Sequence, residues 1–423
     1  MDDTRRGETL RETTGACGPE PHSLPAPPRR TQWRILIGAT AVLALTGPGQ
    51  TAGLSVFTEP LISDLGISRT RLSGAYLAAT LTGAALLPLV GRAIDRFGVR
   101  TLVTCAAVLF GAVLTGCAAV GSLWGLTAGL AGLRLAGQGA LSLLATTTVA
   151  LWFTRGRGTA LGVVSSVGAA GISVTPVLTE RLIAATDWRT AWLIQGVVIW
   201  TVLIPVGVYV LRGRPPAAAR DTGPAAGDGW TVGRATRTAA FWTIIAAVCC
   251  QGMLTTAVAF HQVSLLGEHG LSPTEAAANF LPQTMAGLAA AFLAGALADR
   301  FPPRYVLAAS LAVLAAGLLW TPLLAPGLSG IAFGLLLGAA GNGIRTMEAS
   351  IIPAYFGTAH IGALRGIVHA ATVASTAFGP VLLALGHDLA GSYTPSLMLS
   401  AALPAAIGVL VVLVRPPRRP TRG

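Results

Sequence analysis

The chain has 423 residues, of which 53% are hydrophobic and 11% are charged, whereas roughly 25% of the residues in an ordinary soluble protein are charged. So few charged side chains cannot cover a soluble protein of this length, and the composition indicates an integral membrane protein. All 29 basic residues are arginine. The lack of lysine excludes a P-loop ATPase, a protein kinase and a Schiff-base enzyme, because each of these needs a lysine amine.

The formal net charge of +12 does not indicate a nucleic-acid partner, because the arginines lie mainly in loops between long apolar runs. Four of the five cysteines lie inside those runs, and none has the spacing of a zinc site. We therefore expect no nucleic acid, no metal ion and no cofactor.

Twelve apolar segments are long enough to cross a bilayer, since a membrane-spanning helix needs about 20 residues. They cover approximately residues 35–57, 73–91, 101–120, 123–152, 160–181, 191–211, 239–261, 275–298, 304–325, 328–353, 366–386 and 395–414. Many contain glycine or proline, which membrane helices tolerate better than soluble helices do.

The distribution of arginine predicts the orientation, because basic loops mark the cytoplasmic side. With the N-terminus in the cytoplasm, few arginines lie elsewhere. They are Arg69, Arg71, Arg181 and Arg189 in external loops, and Arg134 and Arg345 inside spans. We therefore expect both termini in the cytoplasm and the protein in the plasma membrane.

The spans form two groups of six. Residues 33–211 form the N-terminal half and residues 239–414 the C-terminal half, joined by a linker at 212–238 that is rich in proline, glycine and alanine. Residues 1–32 are polar and proline-rich, which predicts a disordered cytoplasmic tail, and residues 415–423 form a second tail. We predict an all-α membrane protein of twelve transmembrane helices in two six-helix halves.

The two halves repeat one another with an offset of 204 residues. LGISRTRL at 65–72 matches HGLSPTEA at 269–276, and GRAIDRFGVR at 91–100 matches GALADRFPPR at 295–304. A six-helix unit used twice is typical of a secondary transporter whose halves rock about a site at the bilayer midplane.

At these residues the chain resembles the major facilitator superfamily over nearly its whole length. The loop after the second span fits that family's G-x-x-x-D-R-x-G-R/K motif, and Arg134-x-x-Gly137-x-Gly139 is similar to its fourth-helix motif. The Asp95-Arg96 and Asp299-Arg300 loops are predicted to act as gates, because a carboxylate near a helix end can bond backbone amides and a neighbouring arginine. The resemblance implies that helices 1, 4, 7 and 10 line a central cavity. It also implies a transporter that works by alternating access.

Three further segments resemble the monocarboxylate and oxalate/formate group, namely DWRTAWLIQG, ATRTAAFW and IPAYFGTAHIGALRG. This resemblance implies transport of small organic anions with protons or by exchange. The charge that the group carries in helix 8 is missing here, since residues 276–298 contain no ionisable side chain. A proton-driven exporter of a larger apolar metabolite or drug is the alternative.

A charge at the bilayer centre costs about 2.5–3.5 kcal/mol on insertion scales, so an intramembrane charge is a functional candidate. Arg345 lies 11 residues before Phe356, or roughly 16 Å from the end of its helix at 1.5 Å per residue. We predict that Arg345 anchors the anion and that Glu348, one turn further on, binds a proton. A pair in which Arg345 and Glu348 only neutralise each other is the alternative.

Other polar residues at similar depth in helices 1, 4, 7 and 10 are predicted to contact substrate. They are Arg134, Gln138, Gln50, Thr51, Gln251, Thr255 and Asn342. Each of the uncharged residues has an alternative role as a hydrogen-bonding contact between helices, worth about 0.6 kcal/mol. His261, at the outer end of helix 7, is a further candidate for proton coupling because histidine titrates near neutral pH.

Two other classes of protein are alternatives to a transporter. An intramembrane enzyme is disfavoured because neither HExxH nor GxSxG occurs. A receptor without transport would bind ligand but produce no flux. We predict a monomeric transporter, not an enzyme, whose partners are a small molecule, protons and the lipid bilayer.

Overall fold

The structure is a computed structural model that describes residues 28–153, 157–212, 230–357 and 360–417. Within these ranges all the regular elements are helices. Twelve of them are named in chain order: α1 (Arg29–Ser55), α2 (Arg69–Phe97), α3 (Val99–Cys117), α4 (Leu123–Trp152), α5 (Arg157–Ala185), α6 (Trp188–Val210), α7 (Ala239–Glu268), α8 (Pro273–Ala298), α9 (Pro303–Leu319), α10 (Leu328–Phe356), α11 (Ile361–Ala390) and α12 (Tyr393–Leu413). Eleven are long and apolar enough to cross a membrane, and α9 is a shorter apolar helix.

The twelve helices confirm the predicted architecture, although two boundaries differ. α1 begins at Arg29, within the segment predicted as a tail, because nothing after Pro28 breaks a helix until Gly47. A short helix at Val232–Ala235, capped by the Thr231 hydroxyl, lies in the predicted linker. Residues 1–27 and 418–423 of the predicted tails, and most of the linker, lie outside the described residues.

The helices that begin at the predicted outer face are capped at their N-termini by side chains from the loops. Ser272 and Glu275 form a capping box at α8, in which each side chain binds the backbone N–H of the other residue. Ser68, Ser122 and Asp187 cap α2, α4 and α6 in the same way with one oxygen each. These caps satisfy N–H groups that have no partner inside the helix.

Small residues set the spacing of the helices within each half. A Cβ atom added to Gly338 of α10 would lie 1.9 Å from the carbonyl oxygen of Gln283 in α8, so the two backbones touch there. In the N-terminal half, Gly171 of α5 packs directly on Ala44 of α1. Close backbone approach through small residues is the usual way in which membrane helices associate.

Two irregular turns face each other between α1 and α4. α1 changes to a 3₁₀ turn at Gly47–Gly49, and α4 contains a π-helical stretch at Arg134–Leu141. A Cβ atom on Gly49 would lie 2.6 Å from the carbonyl oxygen of Leu133, so the two irregular segments are in contact. Such π-helical turns occur mainly at functional sites.

Replacing Gly338 with alanine tests the close packing of α8 on α10. The new methyl group would overlap backbone that cannot rotate away, so we expect Gly338→Ala to lower the free energy of unfolding by about 1–3 kcal/mol. Thermal unfolding in detergent measures this effect. Gly341→Ala is the matched control in the same helix, since its Cβ atom would meet nothing closer than 3.6 Å. Equal melting temperatures for the two variants would contradict the packing argument.

Candidate functional site

A cavity of about 380 Å³ lies between the two halves, midway along the helices. All eight residues predicted to bind substrate line it, and they come from α1, α4, α7 and α10. They are Gln50, Thr51, Arg134, Gln138, Gln251, Thr255, Asn342 and Arg345. Helices α5, α8 and α11 complete the wall, and the volume is that of a small-molecule site.

Arg134 is held firmly in the wall of the cavity. Its side chain is only 5% exposed, and Nη1 donates a hydrogen bond of 3.3 Å to the Thr51 hydroxyl. Its guanidinium carbon lies 4.9 Å from the centre of the Tyr76 ring, and the Tyr76 hydroxyl is 2.7 Å from Thr51 Oγ1. The aromatic face and the hydroxyls give this buried cation an electrostatic partner that is not an acid.

Arg345 has a different environment, because its side chain is exposed to the cavity. No hydrogen bond or ion pair joins it to another residue in the described part of the chain. Glu348 does not line the cavity, and its carboxylate oxygen instead lies 3.8 Å from Nε of Arg365. In this structure Arg345 and Glu348 therefore do not form the ion pair in which the two would only neutralise each other. The donors of Arg345 are available to a ligand.

Among the described residues, the charged side chains that line the cavity are all positive. The described residues that line it include Arg134 and Arg345 but no aspartate or glutamate. Gln251 Nε2 donates to Thr255 Oγ1, and that hydroxyl donates in turn to the Gln251 carbonyl. These two bonds fix the orientation of the amide and leave Gln251 Oε1 buried without a partner. The lining thus offers two cations and neutral groups that can orient a ligand.

Sequence reasoning missed the polar residues that α5, α8 and α11 contribute. Ser173 Oγ of α5 is hydrogen-bonded to Thr284 Oγ1 of α8, which joins the halves at the cavity. Gln283 and Thr376 also line it. Residues 276–298 of α8 contain no ionisable side chain, so the charge pattern gives no sign of them. A search for neutral polar pairs in apolar segments would have found Gln283-Thr284.

Beyond one end of the cavity the halves meet at a polar cluster that we call the latch, made of Glu59, Arg69, His261, Ser264 and Tyr393. Arg69 pairs with Glu59 within the N-terminal half and donates across to Ser264 Oγ at 3.2 Å and to the Tyr393 hydroxyl at 3.4 Å. Ser264 Oγ donates back to Glu59, and Tyr393 OH lies 3.1 Å from Nδ1 of His261. The latch therefore ties the two halves together.

All the side-chain hydrogen bonds that join the halves within the described ranges lie at the cavity or toward the latch. They involve Thr58, Arg69, Thr70, Ser73, Ser173 and Ser264 and their partners. The opposite end of the bundle, where α1 begins and α12 ends, has no such bond among the described residues. Within the described part of the chain, side-chain hydrogen bonds thus tie the halves at one end.

The structure separates the remaining predicted residues from the cavity. His261 is fully buried in the latch, where Nε2 lies 3.0 Å from the Pro380 carbonyl oxygen. Arg96, Asp299 and Arg300 are exposed at the opposite end and make no ion pair with a described residue. The backbone of Asp95 lies in α2, but its side chain is outside the described part of the structure.

The Glu59 carboxyl is half-buried between the two halves. Burial alone would raise its pKa, but hydrogen bonds from Arg69 and Ser264 and the charge of Arg69 outweigh burial and hold the pKa below the ordinary value of 4.5. The ionised carboxylate is therefore the form that the latch binds, and it persists at neutral pH.

The family model of the Major Facilitator Superfamily matches residues 39–282 and 255–423. The chain belongs to the major facilitator superfamily. As a member of this superfamily it is a secondary transmembrane transporter that works by alternating access, and it is not an enzyme.

Solved structures show the same fold at low sequence identity. A bacterial homologue of the human lysosomal transporter Spinster, in an inward-facing and unoccupied conformation, has a TM-score of 0.66 and 15% identity over 92% of this chain and 96% of that chain. A mutant of the nucleoside transporter NupG has a TM-score of 0.74 and 10% identity over 90% of this chain and 99% of that chain. An uncharacterized 38 kDa protein in the 23S RNA operon of Thermoproteus tenax is 29% identical over 298 residues, 68% of this chain and 72% of that protein.

Substitution of Glu59 tests whether the latch holds this major facilitator closed at one end. Glu59→Gln removes the charge that Arg69 binds, so the closed end should open more often. Nitroxide labels at Ala119 and Ala325, both exposed in loops at that end, report the separation of the halves in a background without native cysteines. We expect longer distances in Glu59→Gln at neutral pH. In the unsubstituted latch, protonation of Glu59 should lengthen the distances once the pH falls through its lowered pKa.

Asp64→Asn is the control for the latch, because Asp64 lies in the same short helix, Thr58–Leu65, but pairs with Arg189 inside the N-terminal half. Its distances should match those of the parent protein. If Glu59→Gln gave the same distances as the parent, the latch would not hold the halves together.

Proposed function

We propose that this transporter moves small organic anions of the monocarboxylate type, with protons or by exchange. The observation that carries the proposal is the cavity with two arginines and no acidic side chain among its described lining residues. In a cavity surrounded by apolar helices this charge favours an anion, because a cation would have no partner there.

Arg345 is the anchor for the carboxylate in this proposal. The planar guanidinium can donate two parallel hydrogen bonds to one carboxylate, which gives both affinity and orientation. Its side chain is exposed to the cavity and has no competing acid in contact, whereas Arg134 is already bound to Thr51 and Tyr76. Arg134 then adds positive potential, and Gln50, Gln138, Gln251, Thr255 and Asn342 contact the rest of the ligand.

The apolar part of the cavity limits how large that ligand is. Phe280 and Leu337 line it beside the polar groups, and its volume is near the lower end of the usual range for small-molecule sites, about 300–1,000 Å³. A short carbon chain with one carboxylate fits both the charge and the size. A larger apolar metabolite would leave the exposed guanidinium of Arg345 without a partner.

The proposed cycle takes its direction from the arginine-rich loops. In this proposal the protein is a monomer in the plasma membrane, with both termini in the cytoplasm. The latch then closes the outer end, and the cavity faces the cytoplasm. The exposed gate residues Arg96, Asp299 and Arg300, with Asp95, then lie at the open cytoplasmic end and meet when the halves rock the other way. Glu348 and His261 are the sequence-derived candidates for proton coupling.

Uptake into proteoliposomes tests the proposed function. A panel of labelled short-chain carboxylates is offered under an inward proton gradient, and we expect saturable uptake of at least one. Arg345→Gln should reduce the apparent affinity about 10- to 100-fold, since a hydrogen bond to a charged group contributes about 1.5–3 kcal/mol.

Arg71→Gln is the control. It removes the same charge from an exposed position in the first turn of α2, away from the cavity, and should leave uptake unchanged. No uptake of any carboxylate by correctly folded protein would reject the proposal in favour of the exporter of larger apolar molecules. Equal uptake by Arg345→Gln and the parent would reject Arg345 as the anchor.

A further inference from the structure

Glu180 is a second membrane-embedded acid, which none of the proposals above uses. It lies five residues before the last residue of α5, Ala185, or roughly 8 Å inside the helix end at 1.5 Å per residue. The residue is only 8% exposed. Its carboxylate makes no hydrogen bond and no ion pair with any residue that the structure describes.

The position of Glu180 places it at the contact between the halves. It follows Ser173 by seven residues, which are two helical turns, so both lie on the same face of α5. Ser173 is hydrogen-bonded to Thr284 of α8 in the other half, and α5 packs against both the first turns and the middle of α8. Glu180 therefore lies on the face of α5 turned toward α8, on the latch side of the cavity.

The charged groups on the surrounding elements all have other partners or lie exposed. On α8, Glu275 binds its own N-cap residue, Ser272, and at the start of α6, Arg189 pairs with Asp64. On α4, Arg134 is held by Thr51 and Tyr76. Arg181, next to Glu180, is exposed. On α1, which packs on α5, the charged residues Arg29, Arg30 and Arg34 all lie in the first two turns, at the end opposite the latch, and are exposed.

The titratable groups of the latch are the remaining ones at this end. Glu59 and Arg69 pair with each other, and His261 is hydrogen-bonded to Tyr393 and to the Pro380 carbonyl. None of these groups neutralises the Glu180 carboxylate. An unpaired ionised carboxylate buried away from water is costly, and such a group takes up a proton instead.

We propose that Glu180 is a proton-binding site whose occupancy is linked to closure of the latched end. When the halves close, α8 covers the carboxyl, which takes a proton from water at that end. When they part, water reaches the carboxyl, which ionises and returns its proton to the same water. The proposal rests on the alternating-access part of the proposed function but not on the identity of the substrate.

The linkage has a definite sign. Because the closed form holds Glu180 protonated, acid favours closure through this residue and rising pH favours opening of the latched end. Glu59 acts in the opposite direction, since its ionised form closes the latch and acid weakens it. The two carboxyls are therefore distinguished by the direction of the pH response.

The nitroxide pair at Ala119 and Ala325 tests the proposal without any substrate. In the parent protein, the distances should lengthen as the pH is raised from mildly acidic to mildly alkaline. Glu180→Gln copies the neutral form and should keep the short distances throughout this range. Glu180→Leu removes the polar group altogether and should behave in the same way, so the test does not depend on one variant.

The control is Asp64→Asn, which removes a carboxyl at the same end and should keep the pH response of the parent. A parent protein whose distances do not lengthen with rising pH, or Glu180 variants that respond as the parent does, would overturn the proposal. Failure to transport any carboxylate would reject the proposed substrate class and leave this result unaffected, because no substrate is present in the measurement.

Discussion

A guanidinium inside a bilayer must find partners or water, because an unpaired charge in hydrocarbon is expensive. This constraint organises the centre of the molecule. Arg134 meets it with the Thr51 hydroxyl and the face of Tyr76, which in turn depend on the irregular turns of α1 and α4. Arg345 meets it by facing the cavity, which has to stay accessible to water or to a ligand. The two arginines thus make the space between the halves positive, and this charge is the basis of the proposed preference for an anion.

The same physical chemistry explains how the halves are held together. At the latch, opposite charges and hydroxyls are shared between the halves, so closure replaces contacts with water by contacts between side chains. Such a polar interface can open, because water satisfies the same groups when the halves part. The small-residue packing inside each half, as between Gly338 and the α8 backbone, offers no such exchange. We therefore expect each half to move as a rigid unit.

Much of the fold could be predicted from the sequence, because a membrane imposes long apolar helices and the basic loops between them. Eight of the polar residues that line the cavity could also be predicted, since a polar residue at mid-span is rare enough to be noticed. The pairing of Glu348 with Arg365 rather than with Arg345 could not be predicted, because helical spacing does not show which way α11 turns a neighbouring side chain. The burial of Glu180 could not be predicted for a related reason. It lies near a predicted span end, where a carboxylate is ordinarily hydrated, and only the packing of α5 on α8 shows that it is buried.

The most direct test of this account is to locate a carboxylate in the protein. A crystal structure of the full chain with 3-bromopropionate, a short carboxylate that carries an anomalous scatterer, would show where the anion binds. The account predicts a bromine peak inside the cavity, with the carboxylate at hydrogen-bonding distance from Arg345, and no such peak in Arg345→Gln. A peak only outside the cavity, or one that survives the substitution unchanged, would contradict it.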